Sequence, residues 1–356
     1  MPQAADPYYI EAAARMLDVL DLFREGTREL TLADVSKRCG LVKSTAFRML
    51  YTLEKKGYIE RVANSRTYRR RERYRVGFAS ISTTIPFAVD INRGIQTEAR
   101  RNGIELLIKN NEFDPEATVR NVEELIESGV KLIIVYNSDE RISHVIADRC
   151  AGANVPVVAI TFPVPGAATV FGVNNYRAGL TGGEALGAHV ARAWQGRLDR
   201  VVLLDIQGSS PAQQARLTGM LEGMRKRVNV PAGAVLHLHT EYKRRTAENL
   251  MQQFLARNPS LRRIVVLSYN DENALRAAEA IRDAGRCPHV LMLSQGGVAA
   301  VRAEMARRGT CFWGAVAHYP ERFGTGLLPV VVRILRGETV PNAIWTPHAL
   351  ITRADL

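Results

Sequence analysis

Residues 40–61, GLVKSTAFRMLYTLEKKGYIER, decide how the first part of the chain is read. Gly40 supplies a sharp turn, and a helix follows it. Phe47, Leu50 and Leu53 recur at helical spacing and predict its buried stripe. Ser44, Thr45, Arg48, Thr52 and Lys55 fall on the other side. Short hydroxyls at the entering end, with an arginine one turn on, suit a helix pushed end-first into a DNA major groove. Arginine can grip guanine O6 and N7 together, and hydroxyls can contact bases or phosphates. Lys43 and the helix N-terminus suit a phosphate.

The surroundings fit that reading. Ala13, Met16, Leu17, Leu20 and Phe23 predict an amphipathic helix over residues 9–25, ended near Gly26. Thr31 stands where a second helix needs an N-cap, with Asp34 three residues on as an imperfect capping box. YIERVANSRTYRR, residues 58–70, reads as strand, turn at Asn64-Ser65, and strand, which is a basic wing. Residues 37–75 hold thirteen basic and three acidic side chains, so this one stretch has a net charge of +10 within a chain whose formal charge is +12. A polyanion is the partner such a balance favours. The candidate DNA-contacting set is Thr31, Lys43, Ser44, Thr45, Arg48 and Arg66.

On the stretch 29–61, the chain over about residues 8–70 resembles the winged helix-turn-helix of the IclR family. The shared progression is helix, Gly40-Leu41, Lys43-Ser44-Thr45, Arg48 and Leu50; Val42 stands where the family often has proline. The resemblance implies double-stranded DNA as partner, bound at a palindromic operator by a homodimer.

From Tyr74 the pattern changes. Apolar runs such as IELLIKN, VKLIIVYN, VPVVAIT, RVVLLDIQ, RIVVLSY and HVLMLS alternate with amphipathic helices. Continuous apolar strands of this kind imply parallel sheets covered on both faces. Two such series, one after the other, imply two lobes with a cleft at the carboxyl ends of their strands. The fold class expected is α/β: a winged helix-turn-helix over residues 1–70, then a two-lobed domain of doubly wound parallel sheets over residues 71–356. RRRERYR, at the junction, offers extra phosphate contact or a plain solvated run. It leaves no room for a separate hinge helix. With little slack at residues 69–73, it can pass lobe motion to the head.

The motifs TTIPFAVDINRGIQTEARRNGIEL, FGVNNYRAGLTGGEAL, SYNDENALRAAEAI and AVAHYPERFGTGLL resemble the type 1 periplasmic-binding-protein fold, in its ribose-like branch and its LacI-like regulators. The resemblance implies Phe87 as the aromatic that stacks on a sugar face and Arg216 as the fork on hydroxyls or a ring oxygen. It implies Asn270 as a pocket amide, with Asp271 capping the following helix. His318 falls where a pocket glutamine is common. Thr161, with Phe162 next, and Gln295 replace two aspartates. A pocket with Arg216 and His318 but fewer acids suits a carboxylated or phosphorylated sugar, or a hydrophobic or modified one.

Other chemistry is thin. Cys39, Cys150, Cys287 and Cys311 lie far apart, which fits a reducing compartment and neither a disulfide framework nor a zinc ribbon. His237 and His239 share one strand face, which admits a metal pair as well as plain surface or core histidines. No G-x-S-x-G, H-E-x-x-H or P-loop occurs, and no cofactor is implied. The first residues lack an apolar signal-peptide core, and no apolar run is long enough for a membrane span. The sequence therefore predicts a cytoplasmic, ligand-responsive DNA-binding regulator, a repressor by default, sensing a sugar or sugar derivative. A sugar-binding module without a transcriptional role and a sugar-acting enzyme on this fold are the alternatives.

Overall fold

A computed structural model of the chain describes residues 8–23, 29–62, 64–70, 74–206, 209–240 and 246–356. The chain divides into two compact units, residues 1–74 and 75–356, four residues beyond the expected boundary. Tyr74 goes with the first unit because the first strand of the second begins only at Arg75. Most of the expected linker, residues 71–73, lies outside the described residues, as does Gly26.

In the first unit, α1 (Glu11–Asp21) buries Val19, with Phe23 just beyond its end. Ala13 and Leu17, expected inside, face solvent, Leu17 at 58% exposure. The packed stripe is Met16, Val19, Leu20 and Phe23. A two-residue strand, β1 (Leu30–Thr31), leads into α2 (Leu32–Arg38). The capping box is complete: the Asp34 amide donates to Thr31 Oγ1 at 3.2 Å, and the Thr31 amide donates to Asp34 Oδ2 at 2.9 Å. Gly40 takes φ 63°, a left-handed turn that a side chain would strain. In α3 (Lys43–Lys55) the buried residues are Ala46, Met49, Leu50 and Leu53. Phe47 is 45% exposed, contrary to the expected stripe. The stripe runs through position 46, and position 47 lies ~100° round the helix from it. β2 (Ile59–Arg61) and β3 (Thr67–Arg70) form the wing, turned at Asn64 with φ 58°, and β1 completes a sheet of order β1-β3-β2.

The second unit opens with β4 (Arg75–Ser80), α4 (Pro86–Arg101), β5 (Glu105–Asn110), α5 (Pro115–Glu127), β6 (Leu132–Val135), α6 (Ser143–Gly152), β7 (Val157–Ile160) and β8 (Thr169–Gly172). It continues with α7 (Asn175–Ala193), β9 (Arg200–Ile206), α8 (Pro211–Arg225), β10 (Val235–Thr240), α9 (Thr246–Arg257), β11 (Ile264–Ser268), α10 (Asp271–Asp283), β12 (Val290–Gly296), α11 (Ala299–Ala306) and β13 (Phe312–Ala317). It ends with α12 (Phe323–Leu335), β14 (Ala343–Trp345) and β15 (Ala349–Thr352). Two six-stranded sheets result, of order β14-β8-β7-β6-β4-β5 and β10-β9-β11-β12-β13-β15. The first is parallel throughout; in the second only β15 runs antiparallel. Central strands such as β6 and β11 are buried at every residue, which is why they read as unbroken apolar runs.

The lobes are not two consecutive halves. After β13 the chain returns to the first lobe, where α12 packs on α4 and β14 pairs with β8, and β15 then goes back to β13. Close approach makes the return possible: a Cβ on Gly324 would stand 2.0 Å from the Gly94 carbonyl oxygen.

A second close approach fixes α8. Its backbone touches that of α7, through glycines on both helices. A Cβ on Gly179 would meet the Arg216 carbonyl oxygen at 2.2 Å, one on Gly183 the Met220 oxygen at 2.1 Å, and one on Gly219 the Tyr176 oxygen at 2.3 Å. The neighbours here are backbone and cannot swing aside. Gly183→Ala is therefore expected to destabilise the second unit by about 1–3 kcal/mol, the usual cost of overpacking. Gly152→Ala, in α6 with open space around its Cβ position, should not. Urea denaturation of both variants checks this; equal midpoints would show that α7 and α8 have room to part.

Candidate DNA interface and candidate ligand cavity

Val42 caps α3 through its backbone alone, its carbonyl accepting from the Thr45 amide, and the amides of Lys43 and Ser44 before it have no partner among the described residues. Both residues are exposed, and Thr45 is half-buried. Along the same face Ser44, Phe47, Arg48, Tyr51, Thr52 and Lys55 are exposed. Phe47 and Tyr51 stack at 6.3 Å, and the Lys55 ammonium lies 5.4 Å from the Tyr51 ring centre. The Thr52 hydroxyl is taken by the Arg48 carbonyl at 2.8 Å. In the wing, Arg61 donates to the Tyr68 hydroxyl and Arg69 pairs with Glu60. Lys43, Arg48 and Arg66 have no ion pair among the described residues, so their charge is available to a polyanion. Thr31 is half-buried, and its hydroxyl is committed to Asp34.

The cavity lies within the second unit, where strands of both sheets end, and measures about 410 Å³, a small-molecule size. Phe87 comes to its wall from the first turn of α4, Tyr136 from the residue after β6, and Phe162 from just beyond β7. Tyr136 and Phe162 stack at 6.4 Å. Opposite stand Arg216 on α8, Tyr269, Asn270 and Asp271 after β11, and Gln295 on β12.

Arg216 is 7% exposed. Its Nε donates to Asn175 Oδ1 at 2.8 Å, its Nη1 to the Tyr269 carbonyl at 3.4 Å, and its guanidinium lies 5.0 Å from the Tyr269 ring centre. Among the described residues it has no carboxylate ion pair. Asn175, the first residue of α7, also donates to the Ala212 carbonyl, so one amide ties α7 to α8 and orients the guanidinium.

Asn270 lines the cavity as expected, but it also takes the cap expected of Asp271. Asn270 is extended and caps α10, accepting from the Asn273 amide at 2.9 Å. Asp271, already helical, is buried in the wall and accepts from Ser294 Oγ at 2.6 Å and the Val298 amide at 2.8 Å. Burial pushes its carboxyl above the ordinary range, against those bonds and the charge of Arg216. With Glu272 and Glu279 also lining the cavity, the wall is not poor in acids as expected.

Thr161 and His318 do not line the cavity. Thr161 takes φ 65° at the end of β7, a conformation rare for a β-branched residue, and its turn precedes Phe162. His318 is fully buried behind the wall, its Nε2 2.8 Å from Gln295 Oε1 and its ring edge-on to Phe87 at 6.0 Å. Gln295 Nε2 and His318 Nδ1 have no partner among the described residues. Sequence reasoning missed Tyr136, Tyr269 and Phe113 on the wall. A signal existed: Tyr-Asn follows an apolar strand at 136–137 and again at 269–270.

Residues 76–339 match the periplasmic binding protein domain family, and residues 12–63 match the IclR helix-turn-helix domain. Ribose import binding protein RbsB of Bacillus subtilis (strain 168) is 25% identical over 285 residues, covering 80% of this chain and 88% of that protein. HTH-type transcriptional regulator XynR of Escherichia coli (strain K12) is 43% identical over 60 residues, 17% of this chain and 24% of that protein. An ABC transporter solute binding protein from Mycobacterium smegmatis, solved with bound glycerol, superposes with a TM-score of 0.71 at 20% identity. It covers 80% of this chain and 96% of its own. No helix among the described residues is long and apolar enough to cross a membrane.

Burial, with the charge of Arg216 adding to it, holds the His318 imidazole well below its ordinary value of 6.5. On unfolding the ring takes up a proton below that pH, so the stability that this group contributes falls as pH drops below about 6.5. His318→Gln is expected to flatten the plot of unfolding free energy against pH between 6.5 and 5, by up to about 1.4 kcal/mol per pH unit. Urea denaturation at several pH values measures it. An unchanged slope would mean that His318 takes its proton in the folded protein.

Proposed function

The chain belongs to the periplasmic binding protein domain family, and on that premise we propose that it is a ligand-responsive transcriptional regulator whose cavity takes a sugar or sugar derivative. One observation carries the reading. The same chain holds an α3 face whose Lys43 and Arg48 have no ion pair among the described residues, and a cavity in which aromatic faces oppose Arg216, Asp271 and Gln295. Flat rings cover the apolar faces of a sugar, while buried donors and acceptors take its hydroxyls. The ribose protein's name, the glycerol-bound structure and the regulator matched by the head support the same reading.

In this reading Arg48 contacts a base and Lys43 a phosphate. Ser44, Thr45 and Arg66 add polar and wing contacts. A single winged helix reads few base pairs, so two copies of the chain associate through the second unit and read a palindrome. The lobes close on the ligand, and closure changes operator affinity by as much as the ligand prefers the closed form. Release of a bound operator, hence repression, is the sign adopted.

The test uses an operator that the full-length protein selects from random duplexes. Fluorescence anisotropy then measures its affinity with and without neutral, carboxylated and phosphorylated sugars. At least one sugar should shift the affinity. Arg48→Ala should cost about 1–3 kcal/mol and relax specificity at one position. Lys43→Ala should weaken all sequences alike and flatten the salt dependence. Selection of no sequence above random, or wild-type affinity in Arg48→Ala, would overturn the assignment of α3.

A further inference from the structure

Phe47 stands in solvent, although its spacing in the sequence fits a core stripe. It is 45% exposed, and Tyr51, one turn on, is 50% exposed. Both rings lie away from the buried Ala46, Met49, Leu50 and Leu53, on the side of α3 that exposes Ser44, Arg48, Thr52 and Lys55. Their centres are 6.3 Å apart with planes 28° from parallel, and the Lys55 ammonium lies 5.4 Å from the Tyr51 ring centre. Tyr51 therefore braces Phe47, and Lys55 braces Tyr51.

Two adjoining exposed rings on one helix mark a contact surface. Charge selects what it contacts. Lys43, Arg48 and Lys55 are exposed on the same helix, and none has an ion pair among the described residues. A second copy of this face would bring those cations together, which is costly. A polyanion is drawn to it instead.

In a major groove, base pairs show only their edges. Those edges are polar, save for the C5-methyl group of thymine. A phenyl ring against the edge of guanine or adenine would strip water from polar atoms and give no bond in return. Against the thymine methyl it buries apolar surface on both sides. Phe47 directly precedes Arg48 in the N-terminal half of α3, where a recognition helix reaches base edges. Successive helix residues differ in height by ~1.5 Å, less than the ~3.4 Å between stacked bases, so the two side chains address the same or neighbouring base pairs. Resting on the proposed entry of α3 into the groove, we infer that Phe47 is a specificity-determining residue. It contacts the methyl group of a thymine within about two base pairs of the base that Arg48 grips.

The operator selected by the full-length protein is remade with each thymine in turn replaced by deoxyuridine, which removes the methyl group and keeps the base pairing. Fluorescence anisotropy compares the wild type with Phe47→Ala and Phe47→Leu. At one position in each half-site, loss of the methyl should weaken the wild type about fourfold, the equivalent of ~0.8 kcal/mol for one buried carbon group. Phe47→Ala should bind the thymine and deoxyuridine forms of that position alike. Phe47→Leu, still apolar, should keep part of the preference. Phe47 lies outside the buried cluster of the first unit, so both variants keep the fold, which circular dichroism verifies. Deoxyuridine that weakens the wild type at no position would overturn the assignment and leave the ring pair to an acidic protein partner. A methyl preference as large in Phe47→Ala as in the wild type would overturn it too. Arg48→Ala separates this residue from the helix that carries it. Affinity lost in Arg48→Ala while every deoxyuridine is silent keeps α3 on DNA and removes only Phe47. Wild-type affinity in Arg48→Ala removes both.

Discussion

The backbones of α7 and α8 touch, and the chemistry of the cavity depends on that contact. Glycines at 179, 183, 219 and 223 remove the side chains that would separate the helices. Because the Arg216 carbonyl rests against Gly179, α8 has no freedom to carry its arginine elsewhere. Asn175, at the start of α7, then takes the guanidinium by its Nε and holds it toward the cavity. A buried guanidinium without a bonded carboxylate is costly. The Tyr269 ring and two hydrogen bonds offset part of that cost. In the proposed function the remainder becomes a preference for an oxygen-bearing ligand, because charge-assisted bonds are the strong ones.

The wall around Arg216 is built by the same logic. Gln295 has its oxygen engaged by His318, and its buried amide nitrogen has no partner among the described residues. Asp271 is held by Ser294 and by backbone amides, so its position is set before any ligand arrives. Such preorganisation lowers the ordering cost of binding. Across the cleft, Phe87, Tyr136 and Phe162 offer apolar faces. One wall thus supplies orientation and the other supplies area.

The sequence made much of this legible and left out what depends on three-dimensional neighbours. Both parallel sheets could be read because their central strands are buried on both faces and stay apolar without interruption. The winged helix could be read because caps, turns and wing are local signals: Thr31 with Asp34, Gly40, and Asn64-Ser65. Phe47 was misassigned because an aromatic at a helical position is indistinguishable from a core residue until Ala46 and Met49 are seen to fill the core. Asp271 was misassigned as the cap in place of Asn270 because either side chain can cap a helix, and only the backbone angles decide which one does. The return of α12 and β14 to the first lobe follows from a Gly94–Gly324 contact between residues far apart in the chain. Asp205, whose carboxylate is hydrogen-bonded to both His237 and His239, was hidden for the same reason: the register of β9 on β10 joins them.

The central claim is that a ligand held by Arg216 governs how tightly the head binds DNA. The most direct measurement is operator affinity of Arg216→Ala, by anisotropy, with and without the sugar that shifts the wild-type protein. The account predicts wild-type operator affinity without ligand and no shift when the sugar is added. A shift as large as that of the wild type would contradict it, and would remove Arg216 from the ligand site.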